Sequence, residues 1–421
     1  MFASIDLEQA LCDIFDVGVN DDTFTLLHQA NKEINMAVKT PNGPTDRQTV
    51  HNIVLQGDTW GSILASVQVD SIGKECIAAG HGYSYKNKLQ VGFLGLVDDV
   101  IGVTEAGLNA QKMNAFLNVK SAEKTLQFGP TKCKTMLIGK NTENVIDSNL
   151  VVDTWKVEYV DNPVTGEADL VETYSGQMEI KQTDEQKYLG FVLSSKGDNM
   201  ANIRQIRNKS IGTVRKLFNR LNSLKLKQYY FECAVILMNS VLRPSILYAC
   251  EMYYNLKESE LRHLERIEES FLRKVLNTTK GCPITQLYLE IGQIPARLEI
   301  QKMRLLYLKY ILEENEESLL RKFLQLQIEE PTKGDWASTC FKDLEELKIS
   351  ESLEEIKNMS KSRFTNMLKS SLKTNALKYL TGKQKSKGKE IFYSKLEMVD
   401  YLVPFNTELS VIEKQYSKYL E

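Results

Sequence analysis

Two aspartates, Asp98 and Asp99, stand side by side in the stretch GLVDDVIGV (95–103), between two short apolar runs. Adjacent carboxylates repel each other, so a half-apolar segment has little use for them unless a cation offsets the repulsion. Mg²⁺ is a hard cation that takes carboxylate oxygens and usually shares its shell with phosphates. Two such ions clamp the attacking and leaving oxygens of a phosphoryl displacement. A tight hairpin with acids at its tip places them in reach of a bound phosphate. Taken alone, a Val-Asp-Asp tripeptide reads as a solvated turn; the order of the segments around it raises the metal reading.

The chain that must position this pair has 421 residues, of which 42% are hydrophobic and 26% charged, enough for two or three folded domains with real cores. No two of the seven cysteines lie within four residues of each other, which excludes a CxxC metal or redox motif. Their odd number, without a signal peptide, fits a reducing, intracellular compartment, cytoplasm or nucleus. No apolar run approaches the roughly 20 residues that span a bilayer, so no membrane partner is expected. The net charge of −2 argues against non-specific nucleic-acid binding by the chain as a whole, but leaves room for a local basic stripe.

Residues 5–35 read as two amphipathic helices joined at VGVNDD, with Gly18 as a stop and Asn20-Asp21-Asp22 as a cap. MAVKTPNGPTDRQTVHNIVLQG reads as a hairpin turning at Pro41-Asn42-Gly43. A helix follows over about 59–77, and KNKLQVGFLGLVDDVIGV reads as strand, turn, strand with the acids in the turn. A helix over 105–127, a strand at KCKTMLIGK and one or two hairpins ending at QKYLGFVLSS complete this part. From about residue 198 helical periodicity takes over: Ile203, Ile206, Val214, Leu217 and Leu221 fall on one stripe. EENEES (313–318) reads as a solvated turn or helix start, EEPTKGDW (329–336) as a linker and TGKQKSKGKE (381–390) as a basic loop.

Several of these segments, in this order, resemble the reverse transcriptases of LINE-type non-LTR retrotransposons. IVLQGDTWGS places Gln56-Gly57 at the opening of a helix after a hairpin. LVDD is similar to the (Y/F/V)xDD hairpin, LQFGPTKCKTM to the segment carrying the palm lysine, and KYLGFVLSS to the segment that begins the primer-grip hairpin. VLRPSILYACEMYY and LYLEIGQIPARLEIQKMRLLYLKYIL resemble the thumb and the region beyond it. The resemblance implies Asp98 and Asp99 as catalytic metal ligands for Mg²⁺ or Mn²⁺. It implies Gln56 and Gly57 against the template and the incoming deoxynucleotide, where a missing Cβ lets backbone approach a ligand. It also implies Lys132, with Lys134 as its competitor, at the nucleotide phosphates, and Tyr188, Leu189 and Gly190 supporting the primer end.

Residues 196–227 carry nine basic side chains against the single acid Asp198. Arg204, Arg207 and Arg215 share one face of the expected helix, beside the apolar stripe, as phosphate-backbone contacts along a duplex require. The bland alternative is a solvated helix face.

The family mechanism needs one more aspartate, on a palm strand ahead of the first helix. Asp6, in SIDLEQAL, falls inside the residues that must form that helix, so it is not assigned the role. The register places the first palm aspartate and the fingers upstream of Met1, and the chain is expected to be the C-terminal portion of such a polymerase, inactive in isolation. The expected fold is α+β: a partial right-hand polymerase palm, a small antiparallel sheet with helices, over 1–197, a helical thumb and connection over 198–330 and a helical C-terminal region over 331–421. The expected function is that of the reverse transcriptase (RNA-directed DNA polymerase) domain of a retrotransposon, with an RNA template and DNA primer, or an RNA–DNA duplex, as partners. The alternatives are a non-catalytic nucleic-acid-binding protein derived from a retroelement, and a helical interaction protein whose acid turn is accidental.

Overall fold

The structure, a computed structural model, describes residues 7–51, 59–97, 99–105, 107–124, 126, 128–129, 131–139, 150–161, 168–224, 229–279 and 281–385. The fold is α+β. The chain divides into two units, Met1–Gly190 with Ser194–Gly197, and Phe191–Leu193 with Asp198–Glu421.

The first unit begins with α1 (Leu7–Asp16), whose buried Leu7, Ala10, Leu11 and Ile14 recur at the spacing of one helical face. Gly18, at φ 97°, ends it in a conformation open to a residue without Cβ. Helix α2 (Asp21–Lys32) carries Asp21 and Asp22 in its first turn, where negative charge suits the helix dipole. Strand β1 (Glu33–Met36) pairs antiparallel with β4 (Gln48–His51), and between them β2 (Lys39–Thr40) pairs with β3 (Gly43–Pro44) around the Pro41-Asn42 turn. Helix α3 (Thr59–Ala78) leads into a hairpin of β5 (Tyr83–Tyr85) and β6 (Leu89–Val91), then a second hairpin of β7 (Phe93–Leu96) and β8 (Asp99–Gly102). Helix α4 (Leu108–Glu123), β9 (Lys134–Thr135) and the long hairpin β10 (Val151–Asp161) and β11 (Ala168–Glu179) follow. Strand β12 (Lys181–Gln182) runs parallel to β9, and β13 (Glu185–Tyr188) pairs with β14 (Phe191–Ser194).

One small antiparallel sheet was expected over this region. Among the described residues the strands instead pair two by two, in seven two-stranded sheets, one of them parallel. Apart from β10 and β11 the strands are two to four residues long, too short to offer a third strand more than a hydrogen bond or two. Where β7 would invite a neighbour face to face, helix packs instead: Leu64, Ala65, Val69 and Ile72 of α3 join Leu7, Leu11 and Ile14 of α1 in one core, with Phe93, Val97 and Val100 of the hairpin packed against it. Two ion pairs tie α4 to its neighbours. Lys124 Nζ lies 2.6 Å from Asp13 Oδ1 of α1, both side chains buried, and Lys120 Nζ lies 2.9 Å from Glu75 of α3.

The second unit is helical. Helix α5 (Met200–Ser223) buries Ile203, Ile206, Val214, Leu217 and Leu221, the full expected stripe. Helix α6 (Tyr230–Leu237) widens into a π turn at Met238–Leu242 before α7 (Arg243–Ile246). Pro244, which has no N–H to give the ladder, accounts for the irregular turn. Next come α8 (Glu258–Val275), α9 (Ile284–Ile291) and α10 (Ala296–Glu313), then α11 (Leu319–Glu329), α12 (Trp336–Glu346), α13 (Leu353–Asn358) and α14 (Lys361–Lys385). One core joins α5 through α9 and a second joins α10 through α14. The expected linker at 329–336 is a short turn whose Asp335 caps α12 through Ser338 N. The expected basic loop at 381–390 is helical as far as Lys385, the end of the described residues.

Two of its buried cations each gather several partners. Arg243 Nε donates to the fully buried Glu268 at 3.0 Å, and its other nitrogens donate to Gln293 Oε1 at 2.8 Å and to the Ile294 carbonyl at 2.5 Å. The second Glu268 oxygen accepts from Tyr288 at 2.6 Å and from Ala296 N at 3.1 Å. Burial pushes Glu268 above the usual carboxylate range while Arg243 opposes the shift. Lys309, in the second core, donates to the carbonyls of Ile356 at 2.9 Å and Met359 at 2.5 Å, closing the C-terminal end of α13.

Because removing one partner strands a buried charge, Arg243→Ala is expected to cost roughly 3–5 kcal/mol in chemical denaturation of this unit. Lys342→Ala, which removes an exposed side chain 3.9 Å from Glu346, is expected to leave the unfolding midpoint near that of the unaltered chain.

Candidate functional site

The β7–β8 hairpin pairs Leu96 with Asp99, with Val97 following Leu96 in a turn. Val97 sits at φ 56°. Positive φ is rare for a β-branched residue and is retained only where the surroundings over-determine it. Here they do: Val97 packs on the core of its unit. Asp99, the first residue of β8, is exposed, with no cationic side chain paired to it among the described residues. Asp98 lies outside the described residues, as do Gln56 and Gly57. The same hairpin turns Leu94 and Leu96 outward, Leu96 at 55% exposure, next to the acid.

Two glycines let α3 lie against this hairpin. A Cβ on Gly95 would stand 2.6 Å from Val69 Cγ1 of α3, and one on Gly73 of α3 would stand 2.9 Å from the Phe93 ring of β7. On the other strand, a Cβ on Gly102 would meet Met113 of α4 at 3.0 Å. Gly95 sits within FLGLVDD, yet its role in the packing could not be read from the sequence, because the partner is a valine 26 residues earlier.

The turn Leu189-Gly190 between β13 and β14 has φ 45° and 88° at its two positions, the left-handed pair that two-residue hairpin loops use. It leaves both residues exposed. Tyr188, just before the turn, donates its hydroxyl to the backbone carbonyl of Asp99 at 3.3 Å across 89 residues of sequence. Burial, and next the Asp99 charge, push the phenol above its ordinary range, so it stays a neutral donor. The structure therefore brings Tyr188 and Asp99 together. Lys132 and Lys134 are exposed, and neither forms an ion pair with Asp99 among the described residues. Lys134 lies in β9 opposite Lys181. Among the described residues no group of three or more His, Cys, Asp or Glu side chains could hold a metal ion, and Asp98 is not among them.

In the second unit, Arg204, Arg207 and Arg215 are all exposed on α5. That helix carries six basic residues and no acid over its 24 positions. Arg207 Nη1 lies 3.5 Å from Nδ1 of the His263 ring. Lys225 and Lys227, two of the nine basic residues of 196–227, lie outside the described residues. The base of α5 is fixed through Asn202, whose Oδ1 accepts from Val192 N at 3.1 Å and whose amide donates to the buried Tyr253 hydroxyl at 2.8 Å.

No helix among the described residues is long and apolar enough to cross a membrane. The chain matches no protein-family model, and no curated protein matches it closely enough to be called a relative.

The close approach at Gly95 makes a prediction. Gly95→Ala is expected to destabilise the first unit by roughly 1–3 kcal/mol through overpacking. Adding Val69→Ala should make the double variant's loss smaller than the sum of the two single losses. Additive losses in thermal or denaturant unfolding would mean that α3 and β7 are not in contact there.

Proposed function

We propose that this chain is the palm-and-thumb part of a retroelement reverse transcriptase, an RNA-directed DNA polymerase of the LINE-type non-LTR class. In this reading the acid turn is one side of a phosphoryl-transfer centre and α5 holds the primer–template duplex. The observation that carries the reading is the Tyr188–Asp99 hydrogen bond. The resemblance assigned LVDD to the metals and KYLG to the primer end as separate motifs, and a polymerase needs those two functions side by side.

Asp99 suits a hard cation: its oxygens are exposed at the end of a tight loop and no cationic side chain competes for them among the described residues. Asp98 and Asp99 would hold Mg²⁺ or Mn²⁺, which when bound supplies charge neutralisation at the transferred phosphoryl group. The chain's own groups do the rest. Tyr188 fixes the backbone of Asp99, and the packed Val97 fixes the loop, so the acid is held before any substrate arrives. The exposed Leu189-Gly190 turn supports the primer end. Lys132 or Lys134 meets the phosphates of the deoxynucleotide, and Gln56 and Gly57 face template and nucleotide. The α5 arginines take duplex phosphates without reading sequence. The alternative, a non-catalytic nucleic-acid-binding protein derived from a retroelement, draws on α5 alone, whose exposed arginines need no metal.

Mn²⁺ binding by the full chain on an RNA–DNA primer–template, read by electron paramagnetic resonance, separates the two. Asp98→Asn and Asp99→Asn are each expected to weaken Mn²⁺ by at least the roughly 10–100-fold that losing an outer-shell partner costs. Duplex affinity in chelator should not change. Mn²⁺ affinity equal in all three proteins would leave only the non-catalytic reading.

A further inference from the structure

The duplex surface assigned above is one helix wide, but α5 does not stand alone. Helix α8 runs parallel to it: Arg207 of α5 meets His263 of α8 at 3.5 Å, and Lys274 of α8 lies over the Phe218 ring of α5 at 5.3 Å. The outward residues of α8 next to this seam are Arg266, Ser270 and Lys274, all exposed.

Helix α8 is not basic in composition, since it carries five glutamates. Their placement decides its surface. Glu260 bonds back to Lys257 N in the capping box at 2.7 Å, and Glu265 pairs with Arg297 at 2.5 Å. Glu268 is the buried partner of Arg243, and Glu269 pairs with Arg273 at 2.6 Å. Glu258 is shared between Arg297 at 2.9 Å and Arg262 at 3.5 Å. Every carboxylate of α8 is thus engaged by a partner inside the unit or along its own helix. Arg266 and Lys274 have no carboxylate within ion-pair distance among the described residues, and Ser270 between them leaves the seam low.

We infer that α5 and α8 form a single two-helix anion-binding ridge, in which Arg266 and Lys274 continue the row of Arg204, Arg207 and Arg215 and take phosphates of the nucleic-acid duplex. The inference rests on the polymerase reading for the identity of the duplex; the ridge rests on the helix pair. At about 1.5 Å per residue Arg204–Arg215 extend about 16 Å along α5 and Arg266–Lys274 about 12 Å along α8. Two such rows of cations complement a regularly charged polyanion, whose backbone places charge continuously along its length.

The test measures how the affinity of the full chain for a fluorescent RNA–DNA duplex falls with salt. Each phosphate left without its cation should reduce the slope of log affinity against log salt by about 0.9. Arg266→Gln with Lys274→Gln is expected to reduce it by about 2. Arg266→Gln alone, which leaves Lys274 over the Phe218 ring, should reduce it by about 1. Arg204→Gln, Arg207→Gln and Arg215→Gln together should reduce it by about 3. A reduced slope in the α5 variant with an unchanged slope in both α8 variants overturns the two-helix ridge and leaves the polymerase reading standing. An unchanged slope in the α5 variant defeats both. Polyglutamate competing as well as duplex would assign the ridge to an acidic protein surface and overturn the inference.

Discussion

Helix α3 and strand β7 meet at two points where neither side has room for another carbon, Gly73 against Phe93 and Gly95 against Val69. The arrangement of the acid turn follows from this constraint. With α3 filling one face of the hairpin, Phe93, Gly95 and Val97 point inward, and Leu94, Leu96 and the Asp99 end of the loop are left outside. A one-residue slip of the pairing would reverse every side chain and drive the acid into the α1–α3 core. The positive φ at Val97 belongs to the same compromise: the loop accepts local strain so that its valine can stay in the core.

Tyr188 adds a second hold on the same atom group from a distant part of the chain. The two supports are different in kind. Packing sets the register of the hairpin, while the tyrosine hydroxyl sets the position of one carbonyl within it. The backbone that carries the Asp99 carboxylate is thus held before a cation arrives, which is what a site must provide if binding is to favour one geometry. In the helical unit, charge is managed in the opposite manner. Arg243, Arg297, Arg304 and Lys309 are drawn inward and matched to carboxylates or carbonyls, so that the cations left outside on α5 and α8 have few acids to meet.

Much of this was legible in the sequence. The five apolar positions of α5 are all buried, because a 3.6-residue period sustained over 19 residues marks one face of a helix. The expected strand–turn–strand is present, but Asp99, expected in the turn, is the first residue of β8 and pairs with Leu96. What was not legible depends on tertiary contact. Strand order is one case: two- to four-residue strands carry too little pattern to say whether they join one sheet or pair separately. The buried Lys124–Asp13 pair is another, since two ordinary charged residues 111 positions apart give no local sign that they meet. The five glutamates of α8 concealed its basic outer face for the same reason. Lys132 and Lys134 stand exposed in the expected segment, with no ion pair to Asp99 among the described residues.

If Asp98–Asp99 hold the metals beside the Tyr188–Gly190 turn, iron-directed cleavage will show both places at once. Fe²⁺ loaded in place of Mg²⁺ on the full chain with primer–template, then reacted with ascorbate and peroxide, cuts backbone close to the bound ion. Two clusters of cuts are expected, one around the β7–β8 loop and one at the Leu189-Gly190 turn, both suppressed by excess Mg²⁺ and by Asp99→Asn. Cuts at only one of these places, or cuts indifferent to Asp99→Asn, would contradict that arrangement.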